Sequence, residues 1–170
     1  MESRAKLLGH PIHQMLIVFP LGLLATAVIV DVIYLAGESL IFAEVAYYLV
    51  IAGLIGGALA APFGLIDWLA IPQGTRAKRI GAMHGIGNVI VMLLFVVSAV
   101  LRSDLPSEPP LMAYVCSFAG AGIALVTAWL GGELVDRLGV GVHDGAHLDA
   151  PSSLSGRPAR EPASLASRRS

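Results

Sequence analysis

The chain alternates long apolar runs with short polar intervals. Four runs exceed what a soluble core uses, at about residues 15–35, 45–66, 80–101 and 111–130, and only the first contains a charge, Asp31. A hydrocarbon layer about 30 Å thick needs about 20 helical residues to cross it. Barrel strands would alternate apolar and polar residues over shorter spans, which these runs do not do. The pattern therefore predicts an all-α integral membrane protein with four transmembrane helices.

The polar intervals between these runs are short. Connections of this length force consecutive helices to be antiparallel neighbours, so we expect an up-down-up-down four-helix bundle. Residues 1–14 form a polar lead-in, 15–137 the transmembrane domain and 138–170 a flexible tail, with disorder expected from about Pro151. Pro11 suits the first turn of a helix, which places the start of the first helix near His10. No repeat with a period of 20 to 50 residues is apparent.

The distribution of charge predicts the orientation. Arg4 and Lys6 precede the first helix and three cations occupy the second loop, whereas the first loop offers Glu38 and Glu44. Because positive loops are retained on the cytoplasmic side, both termini should face the cytoplasm. Arginines that follow the last helix agree: Arg137, Arg157, Arg160, Arg168 and Arg169. The third loop carries Arg102 among acidic residues, and a net charge of −1 gives no case for binding nucleic acid.

A cleaved signal peptide is the competing interpretation of the first run. Residues 25–27 have the small-residue spacing that a signal peptidase reads, but the apolar run continues past them, so we expect an uncleaved span. Cys116 is the single cysteine, which excludes an intramolecular disulfide.

Small residues form a stripe on two of the predicted helices. Without a hydrophobic force between helices in lipid, close packing at small residues holds helices together, so each stripe should contact another helix. On the second helix the stripe comprises Gly53, Gly56, Ala60, Gly64 and Asp67, and on the fourth it comprises Ser117, Gly120, Ala124, Thr127 and Gly131.

Polar side chains converge at the cytoplasmic end of the predicted bundle. The third helix carries Gly81, His84, Gly85 and Asn88 on one face, and these should face the bundle interior. The other contributors are His10 and His13 from the first helix, Asp67 from the second and Glu133 beyond the fourth. Asp31 follows His13 by 18 residues, about 27 Å along a helix, so it belongs to the opposite leaflet. A charge inside a bilayer is costly, so Asp31 should lie near the outer interface or meet a partner in the bundle, and its position alone favours the interface.

Several separated motifs resemble one family. These are GHPIHQML at residues 9–16, FPLG at 19–22, GLIDW at 64–68, TRAK at 75–78, HGIGN at 84–88, GGELV at 131–135 and GVGV at 139–142. In this order they resemble the small bacterial membrane proteins grouped as domain of unknown function 2231. The resemblance implies a protein of the bacterial inner membrane. Some relatives look fused to Rieske-type iron-sulfur domains, which implies electron transfer and a redox partner protein for this chain, since it has no such domain.

The histidines allow three chemical interpretations. His13 and His84 could be the axial ligands of one haem b, with Arg76 or Lys78 near its propionates. His10, His13 and His84 with Asp67 or Glu133 could instead bind a divalent metal, since His10 and His13 have the i, i+3 spacing of one helical turn. Asp67 and the histidines could also carry protons.

A structural role is the alternative to all three interpretations. His84, Asn88 and Asp67 would then hydrogen-bond across helices to fix the packing of the bundle. Glu133 and Arg137 have the spacing of an ordinary surface pair, and His143 and His147 suit a solvated tail. No motif for a catalytic nucleophile, a phosphate loop or a metalloprotease occurs in the sequence, which disfavours an enzyme.

The sequence therefore predicts a redox-associated membrane component, with a non-enzymatic scaffold as the alternative. The lipid bilayer is its predicted surrounding, and the oligomeric state is left open.

Overall fold

The bundle has the predicted architecture. A computed structural model describes residues 1–37 and 39–161. Over these residues four helical segments are long and apolar enough to cross a membrane, which confirms the predicted all-α fold with four such helices. The helices are α1 (Ile12–Leu16), α2 (Val18–Gly37), α3 (Leu40–Ala70), α4 (Arg76–Arg102) and α5 (Leu111–Gly132), and α1 and α2 together form the first span, Ile12–Gly37.

Polar residues extend α4 and the segment after α5 beyond the apolar runs. Thr75 precedes α4, and its hydroxyl accepts a hydrogen bond from the amide of Lys78 at 3.1 Å, as an N-cap residue does. A π-helical turn, Glu133–Arg137, continues α5.

The first span does not begin at His10 as the proline suggested. Strands β1 (Lys6–Leu7) and β2 (His10–Pro11) form an antiparallel hairpin, whose turn uses positive φ angles at Leu8 and Gly9. The amide of Ile12 then donates to the carbonyl of Ala5 at 2.9 Å, and α1 begins at Ile12. The glycine permits a turn that a helix cannot contain, and Pro11 becomes the residue before the helix.

The helices pack as two hairpins. In the first hairpin α2 lies against α3, and in the second α4 lies against α5. Between the hairpins lies a core of small and medium apolar residues: Leu24, Ala27, Val50, Val91, Phe95 and Ala99. Both stripes of small residues contact the other helix of their own hairpin, as predicted: Gly53 lies against Leu24, and Gly120 against Phe95.

The bundle has two chemically distinct ends. We name the end that holds α1, the loop at residues 71–75 and the turn after α5 the histidine end, and the opposite end the ion-pair end. Asp31 and Arg102 meet at the ion-pair end, where both side chains are 0% exposed. The guanidinium donates from Nη1 and Nη2 to the two carboxylate oxygens, each at 2.7 Å.

This ion pair corrects one expectation and decides another. Arg102 is not a loop residue but the last residue of α4, and Asp31 meets a partner in the bundle rather than water. A bidentate partner neutralises the carboxylate, which removes the reason for placing Asp31 next to water.

The described part of the tail lies over the N-terminal segment. The amide of Gly141 donates to the carbonyl of Met1 at 2.9 Å, and the amide of Asp144 donates to Glu2 at 3.2 Å. Residues 162–170, with Arg168 and Arg169, lie outside the described residues, as does Glu38. Flexibility of the tail stays a prediction.

Candidate functional site

His13 is held by a main-chain carbonyl of another helix. Its Nδ1 lies 3.1 Å from the carbonyl oxygen of Ala60 in α3. The imidazole packs against Gly64, where a Cβ atom would lie 2.7 Å from the ring carbon Cε1. Because a carbonyl only accepts, Nδ1 carries the proton and the lone pair is on Nε2.

His84 has the same arrangement in the second hairpin. Its Nδ1 lies 2.8 Å from the carbonyl oxygen of Thr127 in α5, so this ring also has its lone pair on Nε2. A Cβ atom at Gly131 would lie 3.1 Å from its Cε1. Each histidine therefore lies between a carbonyl and the glycine one turn later on the neighbouring helix.

The two histidines differ at Nε2. The amide of Asn88 lies 3.1 Å from Nε2 of His84 and donates to it, and its oxygen accepts from the hydroxyl of Thr127 at 2.9 Å. For His13, the described part of the chain gives Nε2 no hydrogen bond.

Gly81 and Gly85, which we expected on the same bundle face as His84, do not lie beside the histidine rings. Gly81 lies against the Trp68 ring, where a Cβ atom would be 2.7 Å from Cδ1. Gly85 is exposed, with nothing within 4 Å of its Cβ position, so it does not share the bundle face of His84. Gly64 and Gly131, on the partner helices, take that place.

Asp67 binds the N-terminal segment. Its carboxylate accepts from the hydroxyl of Ser3 at 2.7 Å and from the amides of Arg4 and Ala5 at 2.7 and 3.3 Å. Three donors on one stretch of chain form a small anion-binding nest, which fixes residues 3–5 against the end of α3. Sequence reasoning missed Ser3, because no local pattern links it to a residue 64 positions later.

The other predicted site residues lie apart from His13 and His84, which are both partly buried. His10 is an exposed strand residue whose Nε2 contacts the hydroxyl of Ser153 at 3.3 Å, so the helical i, i+3 spacing with His13 does not apply. Glu133 accepts from Arg76 at 2.6 Å. Across residues 1–37 and 39–161, no three His, Cys, Asp or Glu side chains are grouped as metal ligands would be.

Lys78 supports the fold and is not a surface cation. Its side chain is buried, and Nζ donates to the carbonyl of Trp68 at 2.7 Å and lies 4.0 Å from the centre of the Trp68 ring. Lys78 is thus committed to the end of α3, whereas the side chain of Arg76 is 52% exposed.

Comparison with known proteins identifies a family but gives no activity. A family model described as "Predicted membrane protein (DUF2231)" matches residues 9–144. No curated protein and no solved structure matches the chain.

Proposed function

Since the chain belongs to the DUF2231 family of predicted membrane proteins, whose description gives no activity, we propose a function from its own residues. We propose that the protein is a redox-associated membrane component that binds one haem b through His13 and His84. The observation that carries this proposal is the matched pair of Nδ1 hydrogen bonds, to Ala60 and to Thr127.

Histidines that bind metal usually donate the other ring N–H to a carbonyl, which fixes the tautomer and raises the basicity of the ligating nitrogen. His13 and His84 both have this arrangement before any metal is bound. Two imidazoles suffice for a six-coordinate haem, whereas a zinc or copper site needs more protein ligands. His10, Asp67 and Glu133 are engaged elsewhere, so the two-ligand cofactor fits the donor set better.

The surroundings of the two imidazoles fit a haem in part. Gly64 and Gly131 make room for the two imidazoles. Arg76 lies at the same end of the bundle, but it pairs with Glu133 at 2.6 Å and would have to leave that carboxylate to reach a propionate. Asn88 occupies Nε2 of His84 and must release it when that nitrogen binds iron. The bound haem would supply one-electron chemistry, and the chain would supply ligation, orientation and exclusion of water.

We further propose that the histidine end faces the cytoplasm of a bacterial cell, in the inner membrane. Arg4, Arg79 and Arg137 are exposed at this end, as the positive-inside rule requires. A single cysteine at Gln73, in the exposed loop after α3, tests the orientation in a Cys116→Ala background. An impermeant maleimide should label it only after the cells are opened, and labelling of intact cells would reverse the proposed topology.

The haem proposal is tested by absorption spectra of the detergent-purified chain, oxidised and then reduced with dithionite, from cells supplied with haem. We expect a Soret band and sharp reduced α and β bands, lost in His13→Ala and His84→Ala and kept in His10→Ala, the matched exposed control. A folded protein without haem under these conditions would overturn the proposal.

A scaffold without cofactor is the second candidate, and one observation favours it. The chain from Thr127 through Asn88 to Nε2 of His84 is a closed set of hydrogen bonds that needs no ligand. If the scaffold is correct, His84→Ala and Asn88→Ala lower the thermal midpoint alike and neither changes the absorption spectrum. If haem is bound, Asn88→Ala retains the Soret band, because it frees the nitrogen that ligates iron.

A further inference from the structure

The buried residues of α2 correspond to buried residues of α4 at a constant spacing. Asp31 and Arg102 are 71 positions apart. The same spacing of 71 relates Leu24 to Phe95 and Ala27 to Ser98, and these are the buried residues of α2 and their partners in α4. It also relates His13 to His84.

The second helices of the two hairpins correspond in the same way. A spacing of 67 relates the carbonyl residues Ala60 and Thr127 and the glycines Gly64 and Gly131. It also relates further buried positions: Ala46 to Ala113, Val50 to Ser117 and Gly53 to Gly120. Each histidine reaches its carbonyl across 47 positions in the first hairpin and 43 in the second, so the copies differ by a short length around the connecting loop.

The contacts correspond as well as the positions. A Cβ atom at Gly53 would lie 2.6 Å from the side chain of Leu24, and one at Gly120 would lie 3.0 Å from that of Phe95. The two hairpins therefore pack in the same way. They share the positions of their small residues, a histidine bonded to a carbonyl of the neighbouring helix, and a large side chain that contacts a glycine.

We infer that residues 12–70 and 76–137 are two copies of one helical hairpin, packed about an internal two-fold axis that runs along the helices. We further infer that Asp31 and Arg102 meet on that axis, and that their contact makes each copy bind the other copy rather than itself. In a two-fold interface a residue that contacts its own equivalent must lie next to the axis, and Asp31 and Arg102 are equivalent residues in direct contact. The copies are parallel because each crosses the membrane twice and starts at the histidine end.

The opposite charges give the interface its selectivity. If two first hairpins from different chains associated, two carboxylates would meet on the axis, and two second hairpins would bring two guanidiniums together. Like charges buried at this depth repel and lack counterions, so only unlike hairpins form a neutral pair. The partner that each hairpin surface fits is the other hairpin of the same chain.

The neighbours of the ion pair differ between the copies according to the charge. Arg102 donates from Nε to the hydroxyl of Ser98 at 3.2 Å and from Nη2 to that of Ser117 at 3.4 Å, and the Ser117 hydroxyl also donates to Oδ2 of Asp31 at 3.4 Å. The equivalent residues in the first copy, Ala27 and Val50, offer no acceptor. Tyr114, whose ring lies 5.0 Å from the guanidinium carbon, corresponds to Tyr47.

An exchange of residues between equivalent positions tests the inference in the full chain. Asp31→Arg and Arg102→Asp each place like charges on the axis, so both should lose thermal stability and membrane yield. The double variant restores an ion pair and should recover part of the loss. Adding Ala27→Ser, Val50→Ser, Ser98→Ala and Ser117→Val moves the hydroxyls with the charge, and this variant should be more stable than the double variant.

The four hydroxyl exchanges alone, with Asp31 and Arg102 kept, serve as the control and should lower the midpoint. This set depends on the equivalence of positions and not on a cofactor, so it can fail while the haem proposal stands. A sixfold variant no more stable than the double variant would overturn the internal two-fold axis. A double variant no more stable than either single variant would overturn the role of Asp31 and Arg102 in pairing the two hairpins.

Discussion

The ammonium of Lys78 lies 2.7 Å from the carbonyl oxygen of Trp68 and 4.0 Å from the centre of the same residue's ring. The Trp68 indole in turn donates to the carbonyl of Lys78 at 3.1 Å. These reciprocal contacts satisfy a carbonyl at the end of α3 and fix the start of α4 beside it. The turn between the two hairpins is therefore held by one pair of side chains.

Lys78→Met should destabilise the protein by about 1.5 to 3 kcal/mol, the range for a hydrogen bond to a charged group. The methionine keeps most of the apolar contact but removes the charged donor to the Trp68 carbonyl, which then accepts only from the amide of Ile71 at 3.1 Å. Thermal unfolding in detergent measures the change. Arg79→Met, an exposed neighbour, is the control, and equal midpoints for the two variants would contradict the role of Lys78.

Arg102→Met should cost about 3 to 5 kcal/mol, because it leaves the buried Asp31 carboxylate without its partner. Asp31→Leu combined with Arg102→Met removes both charges, and it should recover most of that loss. Unfolding midpoints of the two variants and the wild type give the comparison. A double variant as unstable as Arg102→Met would show that the loss comes from packing and not from an isolated charge.

This pair also shows what the sequence could not reveal. The spans follow from long apolar runs, because bilayer thickness sets their length. Whether Arg102 is a loop cation or a buried partner depends on an atom 71 positions away, which local periodicity does not record. The correspondence of the hairpins is hard to see in the sequence for a similar reason. Equivalent positions carry different residue types, as Leu24 and Phe95 or Val50 and Ser117 do.

The candidate site was predictable in the same partial way. The inward direction of His84 and Asn88 follows from helical spacing, since polar groups avoid lipid. The Gly9 turn that separates His10 from His13 depends on a hairpin held by the bond from Ile12 to Ala5, and the capture of Asp67 depends on the fold of the lead-in. These contacts are non-local, and composition does not encode them.

Gly64→Ala should destabilise the bundle by about 1 to 3 kcal/mol, the usual cost of overpacking, because the new methyl lies 2.7 Å from the His13 ring. Gly85→Ala meets nothing within 4 Å and should stabilise α4 by about 0.5 to 1 kcal/mol. The two midpoints should therefore move in opposite directions. A loss of stability in Gly85→Ala would place that residue against another helix.

Asp67→Ala should release the N-terminal segment, because the Ser3 hydroxyl and the amides of Arg4 and Ala5 lose their shared acceptor. Trypsin should then cut after Arg4 and Lys6 faster than in the wild type, as mass spectrometry of the intact chain would show. Asp136→Ala, whose side chain is 85% exposed, should leave the cleavage rate unchanged. Equal protection in both variants would mean that other contacts hold the segment.

Glu2 should make the contact between the lead-in and the tail sensitive to acid. Hydrogen bonds from the Lys6 ammonium and the Asp144 amide lower the pKa of Glu2 below its ordinary value of 4.5. A group with a lowered pKa stabilises the fold above its unfolded pKa and loses that contribution as the pH falls through the folded pKa. In a His143→Gln background, which removes the imidazole 3.3 Å from the Glu2 carboxylate, the amide resonance of Asp144 should therefore be constant between about pH 7 and 5 and shift only in stronger acid. Glu2→Gln should abolish that shift, and a shift that persists there would assign it to another carboxyl.

The spacing of Asp31 and Arg102 also sets an order of events during synthesis. At a rate of roughly 5 to 20 residues per second, the ribosome adds the 71 positions between them in about 4 to 14 s. For that interval the Asp31 carboxylate lacks its guanidinium, first while α3 is still being made and then after the first hairpin is complete at Ala70. The nascent chain must therefore keep Asp31 close to water or to the insertion machinery, and the bundle closes only when the end of α4 has emerged.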